Sequence, residues 1–352
     1  MFREHNSTNS PPATLRASFT GTIVSLESLR SSRGFCIVVP TMNTTREDIH
    51  LAAGQTCRVL RWSQSLSRVE VVRAPGSTTP AVGHGDHWHY HPATELTFIQ
   101  RGTGTRFVAD HIELFEAGDL VLIGANVPHY WHLRGPTAGL SVQWDFPLEH
   151  GIWSFADATA PLQRLAESAR RGLHLRGATA ETIRRLMQEL PLLAGFARLA
   201  AFLHLLSVLV AAKTRDLRPL SPRPFSISGT AEQQDAVRRA VSYIIAHYRE
   251  PVRLPELLRL TAMSRATFAR QFRRHAGKSF STFLNQVRLQ AVCRALRDTR
   301  EAVGAIALGH GFNHLSFFNR LFHREFGLSP SVYRSAGLST TGVRSYRNQT
   351  KR

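Results

Sequence analysis

Residues 311–334 read GFNHLSFFNRLFHREFGLSPSVYR, and the spacing of their aromatic residues decides how the C-terminal third folds. Phe318 and Phe322 stand four apart, one helical turn, so both point to one face. Gly327 is a natural helix stop, and Asn313 or His314 stands where a cap belongs. Fifty residues upstream the pattern recurs: Phe268, Arg270, Phe272, Gly277 and Ser279 answer Phe318, Arg320, Phe322, Gly327 and Ser329. A repeat of that length, present twice, implies two similar helical subdomains rather than a solenoid. Each copy opens on a short helix and a tight turn. LPELLRLT leads through AMS into SRATFARQFRRHAG, with Ser264 placed to cap; VGAIAL leads through GHGFN into HLSFFNRLFHREFG. Helix, short turn, helix is the arrangement that enters a DNA groove.

At about 100° per residue, the face opposite Phe268 and Phe272 carries Ala266, Arg270 and Arg273, flanked by Ala269, Arg274 and, at the helix start, Arg265. In the second copy the matching positions are Ser316, Arg320 and His323, flanked by Asn319 and Arg324. Arginine reads guanine edges and asparagine adenine, while Ala266 and Ala269 are small enough for close approach and contact with thymine methyls. A solvated basic face would explain either set alone. Two matched sets in a basic domain point to double-stranded DNA. Between the copies, SFSTFLNQVRLQAVCRALRDT predicts one helix of about 19 residues, ~28 Å long. Major grooves on one DNA face repeat every ~34 Å, so the scale suits two successive grooves.

Composition agrees. The 352 residues carry 44 Lys and Arg against 25 Asp and Glu, a net charge of +19, which calls for a polyanionic partner. The span 231–334 alone holds 17 basic and 7 acidic side chains. With 43% hydrophobic residues and this length, two or more domains are expected. Cys36, Cys57 and Cys293 are odd in number and scattered, which argues against a disulfide framework or a cysteine zinc site and fits a reducing compartment. The N-terminus lacks the apolar core of a signal peptide. The stretch 192–212 is long enough to span a membrane, but Arg198 and His204 interrupt it. A buried or dimer-forming helix is the better reading.

The rest divides by texture. Residues 1–55, rich in Ser, Thr and Arg, predict a poorly ordered extension; 1–41 carry no motif, and a chain starting at Met42 is expected to suffice. From Val69 to Trp144 the runs VEVV, ELTFI, TRFVA, DLVLI and LSVQW alternate with turns such as RGTGT, EAGD and GAN, so 56–150 reads as a small barrel or sandwich. Residues 151–213 turn helical, with Ile183, Leu186, Met187 and Leu190 in one stripe closed by Pro191. A Pro- and Ser-rich linker (214–230), the repeated helical domain (231–336) and a basic tail (337–352) follow. Inside the barrel, HWHYHPATEL (87–96) sets His87, His89 and His91 at alternate positions with Glu95 beyond. His89 and His91 share a face, and with Glu95 beyond, provided the strand continues past Pro92, they make a metal site, a sensor pocket or a packed interior. His84 and His87 fall at the strand entrance, outside the set. Trp88, Tyr90, Arg106, Trp131 and Trp144 line a pocket or fill the core.

Together these residues resemble the AraC/XylS family of bacterial transcription regulators. The family's signature falls here on Gly311, Phe312, Asn313, Ser316, Phe318, Arg320, Phe322, Gly327, Pro330, Tyr333 and Arg334, and the first copy matches at Leu257, Met263, Ser264, Phe268, Arg270 and Phe272. His323 stands where Lys or Arg is usual, Leu258 for an Ala, and Ala262 for a turn Gly. Members often carry an N-terminal cupin-like barrel. Its first motif falls on Gly83, His89, His91, Glu95 and Gly102; in the weaker second, Gly118 and His129 align while Gly124, Asn126 and Leu133 replace Pro, Gly and Asn.

The resemblance implies an α+β multidomain chain. A cupin-like β-barrel and helical dimerisation segment precede an all-α double helix-turn-helix. It further implies a cytoplasmic, nucleoid-associated homodimer that binds operator DNA, with RNA polymerase a candidate partner and no membrane. His89, His91, Glu95 and His129 then occupy the four positions that ligate metal in cupin enzymes. They hold either a small-molecule effector without metal, which is the favoured reading, or a divalent metal; no cofactor is certain. Activation and repression both remain open. A metal-dependent cupin enzyme fused to a DNA-binding domain is the alternative; the expectation is that the chain is no enzyme.

Overall fold

The computed structural model describes residues 46, 47, 49, 51, 55–145, 155–225 and 230–337. The 1–41 segment, Cys36 and all but the first residue of the 337–352 tail lie outside them. Short alternating strands build the first half: β1 (Arg58–Trp62), β2 (Arg68–Ala74), β3 (Ser77–Val82), β4 (Thr94–Arg101), β5 (Gly104–Val108), β6 (His111–Phe115), β7 (Leu120–Ile123), β8 (His129–Leu133) and β9 (Ala138–Trp144). The five runs expected as strands fall on β2, β4, β5, β7 and β9. With two later strands, β10 (Leu173–Leu175) and β11 (Leu217–Pro219), two sheets form, ordered β11-β10-β7-β4-β9-β1-β2-β3 and β6-β5-β8, and they enclose a core of Leu60, Trp62, Val71, Ile99, Ile123 and Trp131. Outward residues of the larger sheet, among them Val59, Leu96, Phe98 and Val142, bury against the helices that follow. With both faces covered, β4 is buried continuously from Glu95 to Ile99.

Those helices are α1 (Ala156–Ala169), α2 (Gly177–Glu189) and α3 (Gly195–Val210). The predicted stripe Ile183, Leu186, Met187 and Leu190 is buried. Two sequence boundaries are corrected. The span 151–213 is not wholly helical, because β10 (Leu173–Leu175) pairs with β7. Nor is 214–230 a free linker: β11 (Leu217–Pro219) pairs with β10, and Leu220 and Phe225 are buried in the barrel core. Apolar residues inside a Pro-rich stretch hold it against the barrel.

The helical domain expected to read DNA, the reader, consists of α4 (Ala231–His247), α5 (Leu254–Thr261), α6 (Arg265–Ala276), α7 (Phe280–Asp298), α8 (Val303–Gly309), α9 (Leu315–Phe326) and α10 (Pro330–Ser335). Ser264, Ser279 and Ser329 cap α6, α7 and α10 through their hydroxyls, and Gly277 and Gly327 end α6 and α9 in left-handed conformation. Ala262, in place of a turn glycine, is forced to φ 53. Barrel and reader share buried surface. Trp88, Phe107, Ile112 and Tyr130 of the barrel pack with Phe272 and Phe283 of the reader, while Leu114 joins Leu289 and Phe322. Around this core Lys278 donates to the Asp110 carbonyl, Arg294 to Thr105, and Arg134 pairs with Asp298.

Candidate functional site

On α6 and α9 one face is closed and the other open. Phe268, Phe272, Phe318 and Phe322 are at most 1% exposed. Arg265, Ala266, Ala269, Arg270, Arg273, Arg274, Ser316, Asn319, Arg320, His323 and Arg324 are all exposed. Among the described residues, the barrel meets the reader through Gln234 of α4, Phe283 and Leu289 of α7, Phe272 of α6 and the buried Phe322 of α9, none of them on these exposed faces. Along α6 there is no acidic residue, so its arginines have no neutralising neighbour on their own helix. A groove of about 770 Å³, lined by Asn319, Arg320, His323 and Arg324 with Ser329 and Ser331, runs along α9.

The second constellation is the histidine cluster. The strand does not continue through Pro92. His89 bridges His129, Tyr90 bridges Arg46, and the chain bends at Pro92–Ala93 before β4 begins. His89, His91 and His129 are nonetheless brought together, one ring nitrogen of each within 4.8 Å of the others. Each donates from Nδ1 to a backbone carbonyl two residues away: His89 to His87 (2.9 Å), His91 to Ala93 (2.9 Å), His129 to Val127 (2.8 Å). A carbonyl only accepts, so Nδ1 carries the hydrogen and the Nε2 lone pair is turned inward. Gly83 permits the close packing at the mouth, since a Cβ there would lie 1.9 Å from the Leu66 carbonyl oxygen.

Glu95 belongs to the cluster but lies outside its tight triad. It accepts from Gln143 (2.7 Å), Ser141 (3.1 Å) and Thr97, and its Oε2 is 3.1 Å from His91 Nε2. That last pair needs a cation between or on its atoms, because neutral His91 has already spent its hydrogen on Ala93. Burial opposes a charge on His91, but the Glu95 hydrogen bond and charge outweigh it and raise its pKa. Burial alone would raise Glu95, yet the His91 hydrogen bond, the charge of His129 and Thr97 hold it well below the usual range. Burial first, and then His129 and His91, keep His89 neutral; burial and His91 bring His129 to about 4. The Nε2 of His129 is buried without a hydrogen-bond partner. An unpartnered inward lone pair beside two others suits a divalent ion, which His89, His91 and His129 would hold.

Sequence reasoning missed Glu47. Placed in a span expected to be poorly ordered, it is 7% exposed, with Oε2 3.6 Å from His89 Nε2 and Oε1 3.4 Å from His84 Nδ1. No motif announces it. His84 and His87 stand beside the triad and outside it. Of the aromatic candidates, Trp131 lines a cavity of about 30 Å³ beside the cluster, Trp144 packs on Phe202 of α3, and Trp88 and Tyr90 face the reader. Arg106 is structural: it pairs with Asp119 and Glu113 (2.9 Å), and Arg218 pairs with Glu113 as well. Buried Glu113 is held at about 2 by His111 and these two arginines, although burial alone would raise it.

Comparison with known proteins gives the same division. A helix-turn-helix domain family matches residues 257–336 and a cupin domain family residues 74–143. An uncharacterized HTH-type transcriptional regulator of Haemophilus influenzae is 35% identical over 106 residues, 30% of this chain and 36% of its own length. The chain thus spans about a third of that relative. It spans far more of the HTH-type transcriptional activator RhaR of Pectobacterium carotovorum, which is 26% identical over 257 residues, 71% of this chain and 87% of that one. Among solved structures, a probable AraC family transcriptional regulator from Rhodopseudomonas palustris is 33% identical, covering 29% of this chain and 97% of that one, with a TM-score of 0.28. No helix among the described residues is long and apolar enough to cross a membrane. With a cupin barrel in front and two matched helix-turn-helix units behind, the chain belongs to the AraC-type family of transcription regulators.

Proposed function

We propose that the chain acts in the cytoplasm, on the nucleoid, as a homodimeric, sequence-specific regulator of transcription whose barrel senses a small effector. One observation carries the DNA-reading part: every residue of the two matched faces is exposed while the opposite faces are sealed by phenylalanines. Arg270 and Arg320 occupy matching positions and are assigned to base edges, Asn319 to adenine, and Arg273, Arg274 and Arg324 to phosphates or neighbouring edges.

Dimerisation is assigned to α3. Phe196, Ala200, Leu203, Ser207 and Val210 alternate at four- and three-residue spacing on its exposed side, the seam of a helix pair. Phe196 is 82% exposed, an unfavourable position for its ring in a monomer. Relatives named transcriptional activators favour activation, with RNA polymerase as partner. Sensing is preferred to catalysis because the barrel is joined in one chain to a DNA-binding helix-turn-helix domain.

The test is to sequence genomic DNA fragments retained by the full chain at physiological salt. A shared motif with two subsites about one helical turn apart is the expected result. Retention without any shared motif would refute sequence-specific reading.

A further inference from the structure

We propose that β6 and the turn before it splint α7, the helix that joins the two reading units, and so set the spacing of DNA subsites that the protein accepts. Leu114 and Lys278 are the positioning residues. This rests on the assignment of α6 and α9 to DNA and names what fixes the interval between their two subsites.

Side chains along β6 alternate between its two faces. Glu113 and Phe115 turn into the barrel, where Glu113 pairs with Arg106 (2.9 Å) and Arg218 and Phe115 joins the core. Ile112 and Leu114 turn outward. Ile112 packs in the core of the first reading unit with Phe268, Phe272 and Phe283, and Leu114 in the core of the second with Leu289, Phe318 and Phe322. Residues two apart on a strand are separated by ~6.6 Å, so a single step along β6 crosses from one unit to the other. Glu113 and Phe115 hold the strand from behind, which makes that step rigid.

Polar contacts bracket the apolar pair. Before β6, the Asp110 carbonyl accepts from Lys278, which also donates to Gln286 of α7. After it, Glu116 accepts from Arg297 of α7, and Thr105 on neighbouring β5 accepts from Arg294. Asp110 to Glu116 spans ~20 Å of strand and Gln286 to Arg297 ~17 Å of helix, so strand and helix run side by side at nearly matched length. Gln286 in turn donates to Glu325 of α9 at 3.4 Å. Lys278, directly after the Gly277 that ends α6, is thereby tied to the barrel, to α7 and through Gln286 to the second reading helix.

The two units also touch each other without the barrel. Tyr248, just after α4, stacks on His310 with ring centroids 6.3 Å apart, and Arg288 of α7 donates to the Tyr248 carbonyl (2.7 Å). Stacked rings slide and turn while staying in contact, so this junction acts as a pivot and leaves α7 room to tilt. A swing of α7 by ~10° about its first residue would carry its last, ~28 Å away, through about 5 Å. One base pair rises only ~3.4 Å. Such a swing would admit subsites one base pair closer together or further apart, and β6 fastened along α7 blocks it.

The experiment uses the full chain and the operator recovered by the genomic selection, with the interval between its two subsites shortened or lengthened by one base pair. Each added pair turns the second subsite by roughly 34° and moves it by ~3.4 Å. Wild type should lose at least about tenfold in affinity at either altered interval. L114A and K278M should reduce that loss to about threefold or less, with base preferences inside each subsite unchanged, and L114M, which nearly conserves volume, should keep it. A merely supporting role would lower affinity at every interval by the same factor; that result, or a wild type indifferent to the interval, would overturn the splint. Should L114A fail to melt cooperatively, K278M alone decides. A wild type that selects no motif would refute DNA reading and the splint with it, whereas a motif whose interval penalty is unchanged in K278M refutes the splint alone.

Discussion

Gly277→Ala tests the junction where the barrel meets the first reading helix. Gly277 closes α6 at φ +70, and a Cβ there would stand 2.3 Å from the Cβ of Asp110 on the β5–β6 turn. Carbon atoms pack at about 3.5–4.0 Å, so the contact is too short by more than 1 Å and one side must retreat. Two costs add. Left-handed backbone costs a residue with a Cβ ~1–2 kcal/mol, and overpacking a closed contact costs ~1–3 kcal/mol more. Gly135→Ala isolates the first, because its φ is +80 and nothing lies within 4 Å of the added atom. In chemical denaturation of the full chain, G277A should lose ~2–5 kcal/mol and G135A ~1–2 kcal/mol. Adding Asp110→Gly removes the opposing Cβ and should bring the G277A loss back to the backbone cost alone. Operator affinity should move with the junction, since Lys278, next in sequence, donates to the Asp110 carbonyl. Equal losses in G277A and G135A, or no relief from Asp110→Gly, would refute the docking of barrel and reader.

Other perturbations separate the remaining assignments. Arg270→Ala or Arg320→Ala should lose discrimination at one or two base pairs, ~1–3 kcal/mol each, whereas Arg273→Ala should weaken all sequences and lower the salt slope by about one phosphate; binding-site selection across salt concentrations distinguishes them. Ala262→Gly should raise stability by ~1 kcal/mol in denaturation, because glycine takes φ 53 without strain. Phe196→Asp should shift sedimentation from dimer to monomer without lowering the melting temperature, its ring being exposed within the chain. Burial first, with Arg106 and Arg218, holds His174 at about 3. The unfolded chain, titrating near ~6.5, then takes the proton first as pH falls, so stability present above that value is lost between ~6.5 and 3. His174→Gln should flatten that part of the stability–pH curve, and an unchanged slope would remove His174 from the acid response.

The reader was legible because its signals are local. Phe268 and Phe272 are one turn apart, Ser264 lies at the cap, Gly277 at the stop, and a second copy repeats the arrangement with Gly327. The turn at Ala262 was legible as well: a residue replacing a turn glycine still adopts the glycine's backbone. Asn126 does the same in the cupin half, at φ 59 in place of a glycine, since asparagine tolerates that conformation better than most residues. Strands were harder. β6 (HIELF) and β8 (HYWHL) carry His and Glu that disguise their alternation, and β10 and β11 are three-residue strands, β10 pairing with β7 some fifty residues earlier and β11 with β10.

The histidine cluster marks a different limit. Spacing brought His89 and His91 to attention and the cupin resemblance added His129, but the direction of their lone pairs depends on carbonyls at His87, Ala93 and Val127, and one of these is placed by the bend at Pro92. Glu47 arrives from a stretch with no periodicity, and only the folded barrel brings its carboxylate to His89. Alternation nonetheless had a second consequence. Whatever turns two imidazoles inward also turns Trp88 and Tyr90 outward, and an indole and a phenol on a barrel surface need cover. In this chain that cover is the reader itself, with Phe283 against Trp88 and Gln234 at the Tyr90 hydroxyl. The histidine cluster and the docking surface are therefore two sides of the same four residues, and neither changes without the other.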